Sequence, residues 1–281
     1  MEASVHTVPV TSGVSDDSER GDTRPSSELD LLEPRPGGPA EWFAAHFGPE
    51  NPVRVFIVAL LAGYALLVTA MVFLGFTMIY LILPIRGLGE TDEDVSEWLA
   101  GHRSSGQEHL SWIGSTLAGG LVIPVVIGIC LLVFLVTRHW LLAAFVLFAV
   151  AVESGSYRAT SLIVERQRPD VDRLESLPAD ASYPSGHTAA AVAMYGGLLL
   201  LLASRFDNAV VRVSAVVLGV AIPLFVAWAR MYRGMHHLSD VIAGLLMGLG
   251  AIAILVFAAR ASRASTDRRD GVGIAADPGT S

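Results

Sequence analysis

Three short polar stretches in the second half of the chain carry the residue types that phosphate chemistry needs. Residues 164–170 read VERQRPD and supply Arg166 and Arg168. Residues 181–190 read ASYPSGHTAA, with Ser185, Gly186 and His187. Residues 229–240 read ARMYRGMHHLSD, with Arg230, His236, His237 and Asp240. The planar fork of arginine matches phosphate oxygens. The second stretch sits where a helix begins, so its free amides and the helix dipole favour an anion. Gly186 lets the backbone approach a ligand closely. Ser185 can cap that helix, donate its hydroxyl, or both. His187 and His236 belong to the one side-chain type that ordinarily titrates near neutrality, so one could attack phosphorus while the other hands a proton to a leaving group. His236 and Asp240 are four residues apart, a helical pairing that would orient the ring. Together these groups describe phosphoryl transfer through a histidine.

Each fragment alone has an ordinary explanation. Ser-Gly before a helix is usually a cap, and Arg-Pro after an apolar run can simply end the helix and anchor it among headgroups. His237 reads as a solvated polar residue, since it lacks the four-residue spacing to Asp240. Asp170, Asp172 and Glu175 read as a solvated loop rather than a metal site. Glu153 and Arg158, five apart in an apolar run, read as a pair or as support for the site. What outweighs these readings is convergence, and that depends on the elements between the stretches.

Those elements are apolar. The 281 residues are 52% hydrophobic and only 16% charged, against about 25% charged in ordinary soluble domains. A net charge of −8 argues against a nucleic-acid partner. The single cysteine, Cys130, lies in an apolar run and reads as a small buried hydrophobe. Runs of roughly 20 apolar residues suffice to cross a bilayer, and six are expected, at about 52–83, 113–136, 141–164, 188–203, 213–229 and 238–259. The fold class is therefore all-α, a polytopic membrane bundle of six transmembrane helices. The polar segment at about 90–112 is expected to lie at the interface. Residues 1–51 and 263–281 are expected to be disordered tails flanking a 52–262 domain. The first tail lacks the apolar core of a signal peptide.

Span counting brings the polar stretches together. The first ends span three, the second opens span four on the same side, and the third follows two further crossings. All three thus reach one bilayer face. Arg54, Arg138, His139, Arg205, Arg212, Arg260, Arg263, Arg268 and Arg269 fall on the other side, which the positive-inside rule makes cytoplasmic. The polar stretches are then extracytoplasmic, in a multi-pass protein of the plasma membrane with both termini inside.

RP, PSGH and R-x5-H-x3-D, in that order, resemble the three signatures of the type 2 phosphatidic acid phosphatase superfamily, which includes lipid phosphate phosphatases, undecaprenyl-pyrophosphate phosphatases and soluble vanadium haloperoxidases. The resemblance covers about residues 110–259. It implies that His236 forms a phosphohistidine, that Asp240 orients it, and that His187 protonates the departing alkoxide and then helps to activate water. It implies phosphate contacts from Arg168, Ser185, Gly186 and Arg230, with no metal and no cofactor. Two positions depart from the pattern. The signature is Lys-x6-Arg-Pro, and the lysine position holds Ser161, so Arg158 or Arg166 are candidates to replace that cation. Ala229 stands where a serine usually precedes the arginine. The expected activity is hydrolysis of a lipid phosphate monoester or lipid pyrophosphate, with the bilayer and that lipid as partners. The alternatives are a lipid phosphotransferase and a catalytically weak protein that binds lipid headgroups. A transporter is disfavoured because the spans carry few charges.

Overall fold

The computed structural model describes residues 30–85, 87–176 and 181–275. They are helical almost throughout, and no strand occurs among the described residues. α1 is Pro39–Phe47, α2 Pro52–Thr77 and α3 Leu88–Gly101; α4 is Ser105–Leu117, α5 Val122–Val136 and α6 Trp140–Ile163. α7 (Gly186–Ala191) and α8 (Gly197–Ala203) are joined by a π-turn, and α9 (Ala209–Tyr232) and α10 (Leu238–Ala275) complete the chain. Asparagine starts two of the long helices. Asn51 accepts from Arg54 N at 3.0 Å with Pro52 at the first position of α2, and Asn208 accepts from Val210 N at 2.9 Å to begin α9.

Among the described residues, five helices are long and apolar enough to cross a bilayer: Pro52–Ile82, Leu142–Ile163, Gly186–Ala203, Ala209–Tyr232 and Leu238–Arg269. α4 and α5, bent by 49° at their junction, make a sixth when the pair is one crossing. This is a multi-pass membrane bundle, as its composition requires. The second crossing differs from expectation. It starts inside the segment assigned to the interface, at Ser105 rather than near 113, and it breaks at Gly119 and Gly120 instead of running straight. α3 covers the first half of that interfacial segment, with Trp98 exposed and Asp92, Ser96 and Leu99 buried against the bundle.

The expected tails are also shorter than composition suggests. The described part of the first contains α1, whose Ala40 and Ala44 pack on Ala261 and Ala264 of α10. The described part of the second is the continuation of α10, where Ser265 donates to Gly48 O at 2.6 Å, just past Ser262, which donates to Pro52 O at 3.0 Å. Residues 1–29 and 276–281 lie outside the described residues. Small alanine contacts and side-chain-to-carbonyl bonds order the described segments around 39–48 and 261–265, and neither leaves a signature in hydrophobic content.

Glycine sets how closely α10 meets its neighbours, as expected where lipid removes the hydrophobic drive between helices. A Cβ at Gly250 would lie 2.7 Å from Leu67 of α2, and one at Gly248 would lie 2.5 Å from Val192. At Gly244 it would lie 2.5 Å from the carbonyl oxygen of Ser185. This last contact presses the start of α7 onto the start of α10. Gly244→Ala must displace backbone, so it should cost about 1–3 kcal/mol and lower the thermal unfolding midpoint in detergent. Gly106→Ala, with open space around its α-carbon, should leave that midpoint in place.

Candidate functional site

Main-chain hydrogen bonds staple the three polar stretches together. Ser182 N donates to Arg166 O at 3.1 Å, and Ser185 N donates to Asp240 O at 3.0 Å. Leu174 N donates to Arg233 O at 3.1 Å, tying the intervening loop to the third stretch. Gly234 turns the chain there with φ +69°, and its bare α-carbon is closely faced by Val171 and the Asp172 carbonyl. Residues 177–180 of the loop are outside the described residues.

A cavity of about 590 Å³ opens where the stretches meet, and Arg168, Gly186, His187, Arg230 and His236 share its wall. The two histidines therefore face one space. Arg230 is fully buried. Its Nη1 donates to Glu175 Oε2 at 2.7 Å and to Ser115 Oγ at 2.5 Å, while Nε and Nη2 have no partner. A buried donor left unsatisfied costs about 1–3 kcal/mol, more when charged. Two such donors beside a cavity are therefore placed for an anion. Arg168 is fixed by its own bonds to main-chain carbonyls, Nη1 to Met235 and Nη2 to Ala181 at 2.8 Å. Gly186 is required sterically, since a Cβ would meet the Tyr157 ring at 2.9 Å.

His236 is 3% exposed, and its Nδ1 lies 2.7 Å from the Ser182 carbonyl. A carbonyl only accepts, so Nδ1 carries the proton and Nε2 keeps its lone pair. Burial, reinforced by the positive charge of Arg230, holds its pKa well below the ordinary imidazole value. The ring is thus a neutral base with a free lone pair at physiological pH.

The geometry corrects several expectations. Asp240 Oδ2 is 3.9 Å from His236 Nδ1, so the direct orienting bond expected from the four-residue spacing is absent and the Ser182 carbonyl makes it instead. The Asp240 carboxylate accepts from Ser182 Oγ at 2.6 Å, His237 N at 2.9 Å and Arg166 Nη1 at 2.5 Å. Arg166 is not a phosphate contact. It bridges Asp240 and Asp92, the latter at 2.7 Å, and bonds Ser239 Oγ. Arg158 is exposed and is not part of the cavity wall, and Ser161 Oγ donates to the Arg158 carbonyl, so neither fills the place of the lysine in the resembled signature. Ser185 Oγ pairs with Thr188 Oγ1 at 2.9 Å and makes neither a backbone cap nor a wall of the cavity. Glu153 does not pair with Arg158; it lines the cavity.

Two residues assigned to solvent are structural members of the site. His237 is buried between Asp240 Oδ2, at 3.2 Å, and Glu93 Oε2, at 3.0 Å. Glu175 joins Ser115, Arg230 and Arg233. Burial works to raise the Glu175 pKa, but Arg230 and the bonds from Ser115 and Arg233 bring it down to about 2. No spacing rule singles out either residue, because their partners are remote in sequence. Among the described residues no group of three or more His, Cys, Asp or Glu could hold a metal ion.

The sequence matches the PAP2 superfamily over residues 140–264. An undecaprenyl-diphosphatase of Sulfolobus acidocaldarius is 32% identical over 123 residues, 42% of this chain and 54% of that protein. An uncharacterized 22.5 kDa protein in the cps region of Klebsiella pneumoniae is 36% identical over 72 residues, 26% of this chain and 34% of that protein. The chain thus spans about half the length of the first and a third of the second. The crystal structure of a transmembrane PAP2-type phosphatidylglycerolphosphate phosphatase from Bacillus subtilis shares the fold. It covers 70% of this chain and 92% of its own, at a TM-score of 0.56 and 20% identity.

The depressed Glu175 pKa has a testable sign. Its folded value, about 2, lies below the ordinary 4.5, so its stabilisation is complete above about 4.5 and fades as pH falls towards 2. Wild type and Glu175→Gln should differ most in thermal midpoint at neutral pH and converge on acidification.

Proposed function

We propose that this chain, whose residues 140–264 match the PAP2 superfamily, is an integral membrane phosphatase. It releases phosphate from a lipid phosphate monoester or a lipid pyrophosphate through a phosphohistidine, without a metal. The observation that carries this reading is the buried guanidinium of Arg230, with two unpartnered donors in a cavity that it shares with Arg168, His187 and His236. The S. acidocaldarius relative, a diphosphatase by name, supports extending the substrate class to pyrophosphates.

The phosphoryl oxygens bind Arg230 and Arg168, with the Gly186 backbone alongside. Nε2 of His236 attacks phosphorus as the ester oxygen departs in line, so an N–P bond forms while the P–O bond breaks. His187, in its protonated form, gives the leaving oxygen its proton. The phosphorylated ring, still protonated at Nδ1, is cationic. The Ser182 carbonyl and the nearby Asp240 carboxylate stabilise it. Water, deprotonated by His187, then attacks phosphorus and returns His236 to its neutral form. Arg166, His237, Asp92 and Glu93 are positioning residues that hold Asp240 and the start of α10. Gly120 and Pro124 of the α4–α5 bend form part of the cavity wall, which suits a substrate that keeps its tail among apolar helices.

The basic residues of the connecting loops support a cytoplasmic side opposite the site, and so an extracytoplasmic site in the plasma membrane. Arg205 and His139, from two of those loops, lie 3.5 Å apart.

Purified protein should release inorganic phosphate from phosphatidic acid, phosphatidylglycerol phosphate or a polyprenyl pyrophosphate in the presence of EDTA. Rapid quenching should trap an acid-labile, base-stable phosphoenzyme. His236→Ala should abolish both signals. A variant retaining wild-type turnover would remove His236 from the nucleophile role.

A further inference from the structure

The cavity continues past its cationic end. Glu153 and Ser154 of α6 line it together with apolar side chains of α5, including Ile123, Ile127 and Leu131. Glu153 is 1% exposed. One carboxyl oxygen accepts from Ser154 Oγ at 3.0 Å, and the other has no hydrogen-bond partner among the described residues. Glu153 stands ten residues from Ile163, the end of the apolar span nearest the catalytic stretches, about 15 Å along the helix axis at 1.5 Å per residue and so in the middle of the span. An ionisable group at that depth is costly and marks function by default. Among the described residues Glu153 takes part in none of the salt bridges, which involve Asp92, Glu93, Glu175 and Asp240 instead. Its register relative to the phosphate end follows from Tyr157. That ring abuts the Gly186 α-carbon, and Glu153 lies one helical turn deeper on the same face, about 6 Å along the axis.

Resting on the phosphatase reading above, we propose that Glu153 and Ser154 form a second recognition point for the substrate alcohol. They accept a hydrogen bond from a hydroxyl or ammonium a few bonds from the phosphorus. The favoured substrate is a phosphate ester whose alcohol carries such a donor, as a glycerol headgroup or a long-chain amino alcohol does. A polyprenyl chain offers no donor, and its carbons would leave the carboxyl unsatisfied against hydrocarbon. The asymmetry is large in principle: a site built to bond a substrate hydroxyl strongly rejects an analogue that lacks it, because its own buried polar groups lose their partner.

The test uses full-length protein in mixed micelles and three phosphates of equal chain length: an alkyl phosphate, its 2-hydroxy derivative and its 2-amino derivative. Wild type should favour the donor-bearing esters in kcat/KM by at least about tenfold. Glu153→Leu, close in volume but without an acceptor, should bring that ratio towards one. Glu153→Gln keeps a neutral acceptor, so it should retain the hydroxyl preference, and loss of that preference overturns the proposal. Equal wild-type kcat/KM on all three esters, or a Glu153→Leu ratio like that of wild type, overturns the proposal while leaving the phosphatase reading intact. If Glu153→Leu fails to fold, the wild-type ratio and Glu153→Gln decide the question. Hydrolysis of none of the three, nor of the lipids tested with His236→Ala, overturns the phosphatase reading itself.

Discussion

A guanidinium with no exposure to solvent is the constraint on which the polar end of this bundle is built. Arg230 keeps its charge and has no exposure at the protein surface. Its neighbours satisfy one half of it and leave the other half unpartnered. Glu175 and Ser115 take one edge, which ties the loop after Arg168 and the α4 helix to α9. The other edge stays open to the cavity. Breaking a buried pair costs far more than the pair itself contributes. The internal half thus fixes the position of the guanidinium, and the open half gives the cavity its affinity for an anion.

Around that charge lies a second layer built from main chain. Backbone bonds join Arg166 to Ser182 and Ser185 to Asp240, and the bare α-carbon of Gly244 lets α7 and α10 close to within contact of a carbonyl. The carboxylates of Asp92, Glu93 and Asp240 and the cation of Arg166 brace the outer side. The result is a rigid roof over a cavity whose lower wall is mostly small and apolar. Preorganised donors of this kind need little rearrangement when charge arrives, which is where electrostatic stabilisation is most effective.

The long apolar runs and the parity of crossings between polar stretches made the bundle, and the meeting of Arg168, His187, Arg230 and His236, legible in the sequence. Periodic signals exist for such features. Glu175, Ser182 and His237 gave none, because each earns its role through a partner that is distant along the chain and close only after folding. Arg166 misled for the same reason: beside Arg168 it looked like a second phosphate ligand, yet the carboxylates that claim it come from α3 and α10. The ends of the domain were misjudged through composition. Alanines at helical spacing pack α1 on α10 at almost no cost in hydrophobic content.

The acceptor that faces Nδ1 of His236 belongs to the peptide unit of Ser182. Exchanging one amino acid for another alters side chains and leaves that oxygen in place. The imidazole's tautomer is accordingly inherited from the trace of the backbone, and a lineage could alter the carboxylate at 240 and still keep the nitrogen facing the cavity unprotonated.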